Sequence, residues 1–511
     1  MKKMGFVLFL ALVSMIFPLH GFAYTIGDIN NDNKIDMVEA IHALQVTSSV
    51  RTATASATIN VPSQVPTIQQ AINAAAPGDI INVAAGTYTE ALTIKDKTLT
   101  IQGAGSGSTT ITGVAGADVI YIEHTKGVSI SGVTIKGVQG GNNGILAMRG
   151  ATVEIRDSVV QDAPARGISI VGLAGARLNN VTVQGSGIDG IHAFQDSALL
   201  FLGAVVSNNN LRDGVIISGS SSAHMTAATV TANGNGRHGI DVTHNSSLLA
   251  DTSSIIIQNN QGNATNSGKG ILAFGASSII FQNSSSLLNE NNGHDGIAVG
   301  SASSFYTDAT SSLTVRSAKR YGILIYSESN LHLSGTASVV DSAYHGAYVS
   351  MSSSLYVAGT ATLMIQNSVN IGLNLYQGNV SVNPLAMLSV SGSTGQGNGI
   401  SLSHNSGLGV SGGLLVQNNT GTAGNGINIT NGSVVTLNPT SPKAVEVKNN
   451  GTGINLWNGG SVAGGGSITI TPNTTRDINI SFGSRASLPT SSYSTIQCSQ
   501  SYTTMAGVSC P

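Results

Sequence analysis

The side chains that precede one recurring glycine are the first candidates for chemistry in this chain. Eight consecutive repeats place an ionisable or phenolic group there, and the four repeats that follow place none; in chain order the eight are Arg166, Asp189, Asp213, His238, Lys269, Asp295, Tyr321 and His345. General acid–base catalysis uses carboxylates, imidazoles and lysines. Together with an adjacent strand residue, the candidate catalytic residues are Asp189, Asp213, His238, Asp241 and Lys269.

Two kinds of chemistry suit such a column. A paired acid and base could cleave a glycosidic bond, which would make a hydrolase. A base beside a cationic charge sink could remove the proton next to a uronate carboxyl, which would make a lyase or an epimerase. The structural alternative is that Asp-Gly is a common turn dipeptide. That alternative accounts for Asp189 and Asp213, but turn chemistry does not call for His238 or Lys269.

A second candidate group is aromatic and falls four residues after the same glycine. Exposed rings at regular spacing favour stacking against sugars, and the alternative is packing between neighbouring coils. The candidate carbohydrate-binding residues are Phe194, Phe274, Tyr326, Tyr376 and Trp457.

The elements that position these groups follow from the repeat itself. A glycine-aliphatic pair recurs from Gly144-Ile145 to Gly453-Ile454 at intervals of 23 to 31 residues. Self-similarity on this scale is typical of solenoids, and alternation with a period of two indicates strands. One coil cannot bury its own apolar side chains, so neighbouring coils must complete the core. We predict an all-β parallel β-helix with about 13 or more coils, each about 4.8 Å from the next.

A short helix is predicted before the repeats. Thr67 can cap it, Ile68, Ala71 and Ile72 form its apolar face, and Pro77-Gly78 ends it. We expect this helix to close the open end of the solenoid. Residues 65–112 closely resemble the entry to the pectin-lyase-like superfamily, which implies a right-handed β-helix. The esterase motifs of that superfamily are absent from the chain, so the resemblance assigns no catalytic residue.

The order of the candidate residues has its own resemblance. Asp189, Asp213, His238 and Lys269 follow the aspartate, aspartate, histidine, lysine order of polygalacturonases, although the Asn-Thr-Asp and Arg-Ile-Lys motifs are absent. The resemblance implies chemistry on a polysaccharide.

The first 23 residues have the pattern of a secretory signal peptide. Lys2 and Lys3 precede an apolar run over residues 6–17, and Gly21-Phe22-Ala23 is a suitable cleavage site. No later segment reaches the roughly 18 apolar residues of a membrane span. The sequence therefore predicts a bacterial protein that is secreted, either extracellular or periplasmic.

An acidic loop follows the expected cleavage site. Residues 28–39 place oxygen ligands with the spacing of an EF-hand loop, Lys34 contributing its backbone carbonyl: Asp28, Asn30, Asp32, Lys34, Asp36 and Glu39. The run resembles a single dockerin calcium repeat. The resemblance implies a Ca²⁺ site and leaves open a protein partner that docks on this loop, the alternative being a polar turn near the terminus.

The domain organisation follows from these patterns: signal peptide, 1–23; calcium loop and helix, 24–50; linker, 51–64; β-helix, 65–490; and C-terminal tail, 491–511. Cys498 and Cys510 both lie in the tail, and we expect them to form a disulfide in an oxidising compartment. The net charge of −2 argues against a nucleic-acid partner. The expected partner is an extracellular polysaccharide, and the alternative is a non-catalytic surface or matrix protein that binds a glycan or protein along the flank.

Overall fold

The computed structural model describes residues 56–262, 267–488 and 491–499. The described residues from Thr58 onwards belong to one compact unit of parallel strands. The signal peptide, the calcium loop and Cys510 lie outside the described residues, so the predictions made for them, including the disulfide, stay predictions.

Within the described residues, one sheet, called sheet B here, has seventeen parallel strands, one in each coil. Its strands are Leu92–Lys95, Ile120–Glu123, Ile145–Met148, Ile168–Val171, Ile191–Phe194, Val215–Ser218, Ile240–Thr243, Ile271–Phe274, Ile297–Gly300, Ile323–Tyr326, Ala347–Ser350, Leu373–Tyr376, Ile400–Ser403, Asn425–Thr430, Thr452–Trp457, Arg476–Ser481 and Ile496–Ser499. A coil is named below by the glycine that begins its sheet B strand.

The other sheet, sheet A, has thirty-one strands and forms the remaining walls of the coils. Its strands are Thr58–Val61, Ile80–Val83, Gly86–Thr89, Thr100–Gly103, Thr109–Thr112, Val128–Ser131, Thr134–Lys136, Thr152–Gln161, Gly175–Gln184, Ala198–Asn208, Ser222–Thr231, Ser247–Asp251, Ser254–Gln258, Ser278–Gln282, Ser286–Glu290, Ser304–Thr307, Ser312–Arg316, Asn330–Leu333, Thr336–Val340, Ser354–Val357, Thr362–Gln366, Asn379–Val382, Met387–Ser391, Gly407–Val410, Gly413–Gln417, Val434–Leu437, Val445–Lys448, Ser461–Gly464, Ile468–Thr469, Arg485–Ser487 and Ser491–Ser492.

Stacked coils align like residues with like. In sheet B, Ile145 pairs with Ile168 and Ile168 pairs with Ile191, and all three side chains are fully buried. Successive strand residues point to opposite faces, so every second residue enters the core and the others face outwards. The prediction of an all-β parallel β-helix is confirmed. The strand count exceeds the thirteen marked repeats because coils near both ends lack the glycine-aliphatic signal.

The predicted helix is present at Ile68–Ala74. The Thr67 hydroxyl accepts a hydrogen bond from the Gln70 amide, and the Glu90 carboxylate accepts from the Ile68 and Gln69 amides. These acceptors satisfy amides that a helix N-terminus leaves unpaired. The helix buries its apolar face against the first strands of the solenoid.

One predicted boundary differs. The sequence assigns residues 51–64 to a linker, but Thr58–Val61 is a strand that pairs in register with Ile80–Val83. The physical reason is the Thr-Ile-Asn-Val alternation, which places Val61 in the core.

Candidate functional site

The titratable column on the flank of sheet B has two layers. From the Gly190 coil to the Gly346 coil, the residues directly before the coil glycine form the inner layer, and they are at most 5% exposed: Asp189, Asp213, His238, Lys269, Asp295, Tyr321 and His345. Burying ionisable groups costs free energy unless they are paired, so their partners decide what this layer can do.

The outer layer supplies those partners and faces solvent. Its members come from the same turns and are basic or aromatic: Arg166, Arg212, Arg237, His294, Arg320 and Tyr344. Arg166 Nε lies 3.1 Å from Asp189 Oδ2, and Arg212 Nε lies 3.8 Å from Asp189 Oδ1. We call the outer residues from Arg166 to Arg320 the cationic strip. It spans seven successive coils, about 29 Å at the usual strand spacing.

Arg237 joins two buried carboxylates. Its guanidinium lies 2.9 Å from Asp213 Oδ1 through Nε and contacts Asp241 Oδ2 through Nη2. The Nε contact is off the direction of an ideal hydrogen bond. The other oxygens, Asp213 Oδ2 and Asp241 Oδ1, are fully buried and have no hydrogen-bond partner. Arg237 is therefore the main counter-charge of both carboxylates, and Arg212 Nη2 adds a longer contact of 4.0 Å with Asp213 Oδ2.

A raised affinity of Asp213 and Asp241 for protons also reduces the negative charge of the pair. Burial and repulsion from Asp241 raise the pKa of Asp213 to about 7, against the opposing effect of Arg237. Burial raises the pKa of Asp241 to about 6, again against Arg237. Near neutral pH the pair therefore holds part of a proton, and the positive charge of the strip is less fully cancelled than a count of residues suggests.

His238 is held as a neutral imidazole. Burial lowers its pKa well below the usual value, and the charges of Arg237 and Lys269 act in the same direction. The Lys269 amide donates to His238 Nδ1 at 3.1 Å, and the His238 amide donates to Asp213 Oδ1 at 3.0 Å. Since Nδ1 accepts a hydrogen bond, the ring proton lies on Nε2.

Three of these residues have the types and the spacing of metal ligands. Asp213, His238 and Asp241 each offer one ligand atom, and these atoms lie within 4.8 Å of one another. The set fits a cation poorly, because His238 uses Nδ1 as an acceptor and Arg237 already contacts both carboxylates. We assign the counter-charge at this point to Arg237.

His294 is the one imidazole of the strip, and its ring lies between the carboxylate of Asp295 and the guanidinium of Arg320. Its Nδ1 is 2.9 Å from Asp295 Oδ2, in a contact that is off the ideal hydrogen-bond direction, and its Nε2 is 3.3 Å from Arg320 Nη1. Arginine can only donate, so Nε2 is an acceptor and Nδ1 carries the proton. An imidazole oriented by a carboxylate is suited to accept a proton at Nε2 once the Arg320 guanidinium donates to a substrate group instead.

An aromatic group borders this end of the strip. Tyr321 stacks on His345 with ring centroids 5.5 Å apart and lies 5.2 Å from Tyr348. The Arg320 guanidinium sits over the Tyr321 ring, and its Nη2 donates to the Tyr321 hydroxyl at 3.2 Å. Burial raises the pKa of Tyr321, so its hydroxyl keeps its proton at neutral pH.

The predicted catalytic residues are brought together only in part. Asp213, His238 and Asp241 form one cluster; Lys269 lies 3.9 Å from Asp295, and Asp189 pairs with Arg166 and Arg212. Their catalytic role stays a prediction, and their burial favours acting through the exposed neighbours. The sequence places His294 and Arg320 one residue before the column, but only the fold shows that this position is the exposed one.

The predicted aromatic stripe divides into two kinds of residue. Phe274 and Tyr326 pack against each other across Gly300, with ring centroids 6.5 Å apart, as expected for packing between coils. Phe194, Tyr376 and Trp457 are exposed on the face of sheet B. Sugar binding by these residues stays a prediction.

The sequence of the coils is similar to that of a known family. Residues 118–286 match the family model for a right-handed β-helix region, in agreement with the parallel coils described above. No curated protein matches the sequence. No helix in the described ranges is long and apolar enough to cross a membrane.

Solved structures with a similar course of chain include three polysaccharide enzymes. The A-module of mannuronan C-5 epimerase AlgE4 from Azotobacter vinelandii is 18% identical, covers 68% of this chain and 90% of its own, and has a TM-score of 0.42. An alginate lyase from Paenibacillus sp. str. FPU-7 is 15% identical, with coverages of 56% and 94% and a TM-score of 0.36. A mutant of the periplasmic alginate epimerase AlgG is 12% identical, with coverages of 60% and 84% and a TM-score of 0.38. Likeness at these levels concerns the fold alone.

Proposed function

We propose that the protein acts on an anionic polysaccharide that lies along the cationic strip, and that the reaction begins by removal of a proton next to a uronate carboxylate. The observation that carries the proposal is the His294–Asp295 pair, set among exposed guanidinium groups. A base beside a cationic charge sink is the arrangement this reaction needs.

The chemistry of the strip favours a charged substrate. Its arginines are partly exposed above a layer of buried aspartates, and the raised pKa values of Asp213 and Asp241 reduce the negative charge beneath them. A row of guanidinium groups suits carboxylates because the planar fork donates two parallel hydrogen bonds. The same surface offers little to an uncharged polymer.

Each step can be assigned to a side chain. His294 Nε2 takes the proton from carbon 5 of the uronate, while Arg320 or Arg237 pairs with the carboxylate that stabilises the resulting carbanion. In an elimination, the electron pair forms the bond between carbons 4 and 5 and expels the oxygen on carbon 4, which takes a proton from the Tyr321 hydroxyl. Return of a proton to the opposite face of carbon 5 would instead give an epimer.

The buried aspartates have positioning roles in this proposal. Asp189 pairs with Arg166 and Arg212, Asp213 pairs with Arg237, and Asp295 orients the His294 ring. A hydrolase would require two carboxyl groups that reach the glycosidic bond from opposite sides. Asp213 and Asp241 are fully buried and share one guanidinium, which disfavours that chemistry.

Binding without turnover is the second candidate function. The observation that favours it is the burial of every carboxylate in the inner layer. A strip that only binds would retain the same affinity for polyuronates and form no product.

Secretion and a Ca²⁺ site are also part of the proposal, and both rest on sequence patterns outside the described residues. The signal pattern supports a secreted protein, and the EF-hand spacing of residues 28–39 supports a Ca²⁺ site near the mature N-terminus. Calcium titration of a peptide spanning residues 24–50 tests the metal site independently of activity.

The first test mixes the full mature chain with polymannuronate, polyguluronate, polygalacturonate and a neutral glucan in deuterated water. Ultraviolet absorbance detects unsaturated ends, and NMR detects deuterium at carbon 5. We expect His294→Gln to lower the rate on the responsive uronate by about 10²- to 10⁴-fold, the usual contribution of a general base.

His332→Gln is the matched control, because His332 is a partly buried histidine on sheet A. It should leave the rate unchanged. Product from the neutral glucan alone, or an undiminished rate in the His294 variant, would contradict the proposal. Salt-sensitive binding to a uronate without product would establish the second candidate instead.

A further inference from the structure

The face of sheet B changes its chemistry after the Gly346 coil. In the Gly372, Gly399, Gly426 and Gly453 coils, which the structure describes throughout, no outward position near the strand holds Asp, Glu, Lys or Arg. The row that holds the arginines in earlier coils continues as Asn370, Gly397, Gly424 and Gly451. Three glycines in succession carry no side chain, so this row adds no charged group to the flank. We call this part of the flank the neutral shelf.

Amide groups form the floor of the neutral shelf. Asn425 Nδ2 donates to Asn398 Oδ1 at 2.9 Å, and Asn455 Nδ2 donates to Asn428 Oδ1 at 2.7 Å. Each amide has two donors and two acceptor lone pairs, so a bond to one neighbour leaves further hydrogen-bonding capacity. These amides are partly buried and held in fixed orientations by the ladder.

Aromatic rings form the far edge of the shelf. Tyr376 is 36% exposed and lies against the His404 ring at 4.4 Å between centroids. Trp457 is 44% exposed and makes an edge contact with Phe482 at 5.6 Å. The two pairs are separated by three coil steps, about 14 Å. Each ring is thus supported by a neighbour and keeps the remainder of its surface in solvent.

We propose that the neutral shelf binds an uncharged stretch of the same polysaccharide that occupies the cationic strip. The inference rests on the proposed function for the identity of the polymer. Sugar rings present hydroxyl groups, which match fixed amides, and apolar C–H faces, which match exposed aromatic rings. The shelf has no Lys or Arg to pair with a uronate carboxylate, so it suits residues whose carboxyl is absent or esterified.

Continuity with the strip identifies the occupant. Both surfaces lie on the outward face of sheet B, and the shelf begins in the coil after His345, whose Nε2 lies 3.2 Å from Asn374 Nδ2 at the junction. A polymer that follows the strip along the stacked coils therefore runs onto the shelf. The substrate this predicts has charged and uncharged stretches, with the reaction at the charged stretch.

The test uses Trp457, which is the only tryptophan in the chain. Its intrinsic fluorescence in the full-length protein is measured during titration with neutral hexasaccharides of glucose, mannose and xylose and with hexauronates. We expect a saturable change with at least one neutral hexasaccharide that is insensitive to 0.5 M salt, since uncharged ligands are not subject to screening. Tyr376→Ala should weaken this binding by about three- to tenfold, in line with the loss of one aromatic contact.

Tyr356→Ala is the matched control, because Tyr356 is an equally exposed tyrosine on sheet A, and its binding should equal that of the wild type. The inference is overturned if no neutral sugar changes the fluorescence, or if the signal follows the hexauronates and disappears with salt. It is also overturned if the fluorescence changes with protein concentration alone, which would assign the shelf to a second copy of the chain. Loss of polyuronate binding in Arg320→Ala is measured separately, so failure of the proposed function is distinguishable from failure of the shelf.

Discussion

The buried pair Asp213 and Asp241 shows how a single residue can govern the charge of a surface. Each contacts Arg237 through one oxygen, and its other oxygen has no hydrogen-bond partner. Amides have nearly the same volume as the two carboxylates on Arg237, so replacing the carboxylates by amides would remove the excess negative charge without changing the packing. A structural role alone does not require such an arrangement, because later coils place asparagines at the equivalent positions.

The first prediction is a pH-dependent gain in stability for Asp213→Asn. Because the folded-state pKa of Asp213 is raised to about 7, the folded protein binds the proton more tightly than the unfolded chain does. The associated stability is complete below the unfolded pKa and is lost as pH rises through about 7. Asparagine imitates the protonated acid at every pH. The free energy of unfolding of the variant, measured by denaturation at pH 5 and pH 8, should therefore rise relative to the wild type at the higher pH.

Comparing the wild type with Asp213→Asn cancels the contribution of other titrating groups to the free energy of unfolding. Burial lowers the pKa of His192 and of His345 to about 4, and these groups stabilise the protein at higher pH, in the opposite direction. They are present in both proteins and cancel in the difference. A difference that stays constant from pH 5 to pH 8 would show that Asp213 is ionised throughout.

The sequence identifies the titratable column but not its layers. Spacing alone places Asp189, Asp213, His238 and Lys269 on one flank, since each precedes a coil glycine. The conformation of the turn decides whether the residue before the coil glycine or the one preceding it faces solvent. The turns have no regular sequence pattern from which this could be predicted. The pairing of His294 with Asp295 and of Arg237 with Asp241 therefore emerges only in three dimensions.

At the scale of the element, the recurring glycine marks a close approach between neighbouring coils. At Gly322, an added Cβ would overlap Val339 Cγ1 and lie 2.6 Å from the Gly346 carbonyl oxygen. The backbone at Gly322 does not have a positive φ, so lack of space and not backbone strain selects glycine. This explains why the glycine is the most regular feature of the repeat.

The second prediction compares two glycines. Gly322→Ala should lower the free energy of unfolding by about 1–3 kcal/mol, the usual cost of overpacking a well-packed interior. Gly409 lies in a sheet A strand with no atom within 4 Å of an added methyl group, and Gly409→Ala should be neutral or stabilising by about 0.4–1 kcal/mol. Chemical denaturation measures both. Equal effects at the two positions would exclude close approach as the reason for the glycine.

The strands were predictable because one signal was repeated many times. Alternation of buried and more exposed residues, as in Leu373–Tyr376, recurs at nearly constant spacing, so errors in one coil are corrected by the next. The strand Thr58–Val61 was missed because it precedes the helix and belongs to no marked repeat. Its pairing with Ile80–Val83 bridges the helix, and sequence periodicity does not detect such a connection.

At the scale of the whole molecule, stability is divided among neighbouring coils. Almost all strand pairings among the described residues join one coil to the next, as when Ile297–Gly300 pairs with Ile271–Phe274 and with Ile323–Tyr326. In a solenoid of this kind, stability is approximately a sum of coil and interface terms. The strip and the shelf can therefore differ in chemistry although they share one sheet.

The third prediction concerns how far a local disturbance spreads along the solenoid. Ile72 is 3% exposed in the capping helix, and Ile72→Asp places a carboxylate among apolar core residues without a partner, so the cap should detach. Hydrogen exchange should accelerate in Ile80–Val83 and Leu92–Lys95, which lie next to the helix. Because each coil contacts mainly its neighbours, exchange in coils beyond Gly190 should not change, and polyuronate binding by the strip should be retained. Gln70→Asp places the same charge at an exposed position of the helix and should leave exchange at wild-type rates. Acceleration throughout the described strands in Ile72→Asp would instead show that the β-helix unfolds as one cooperative unit, in which the cap contributes to the stability of the distant functional face.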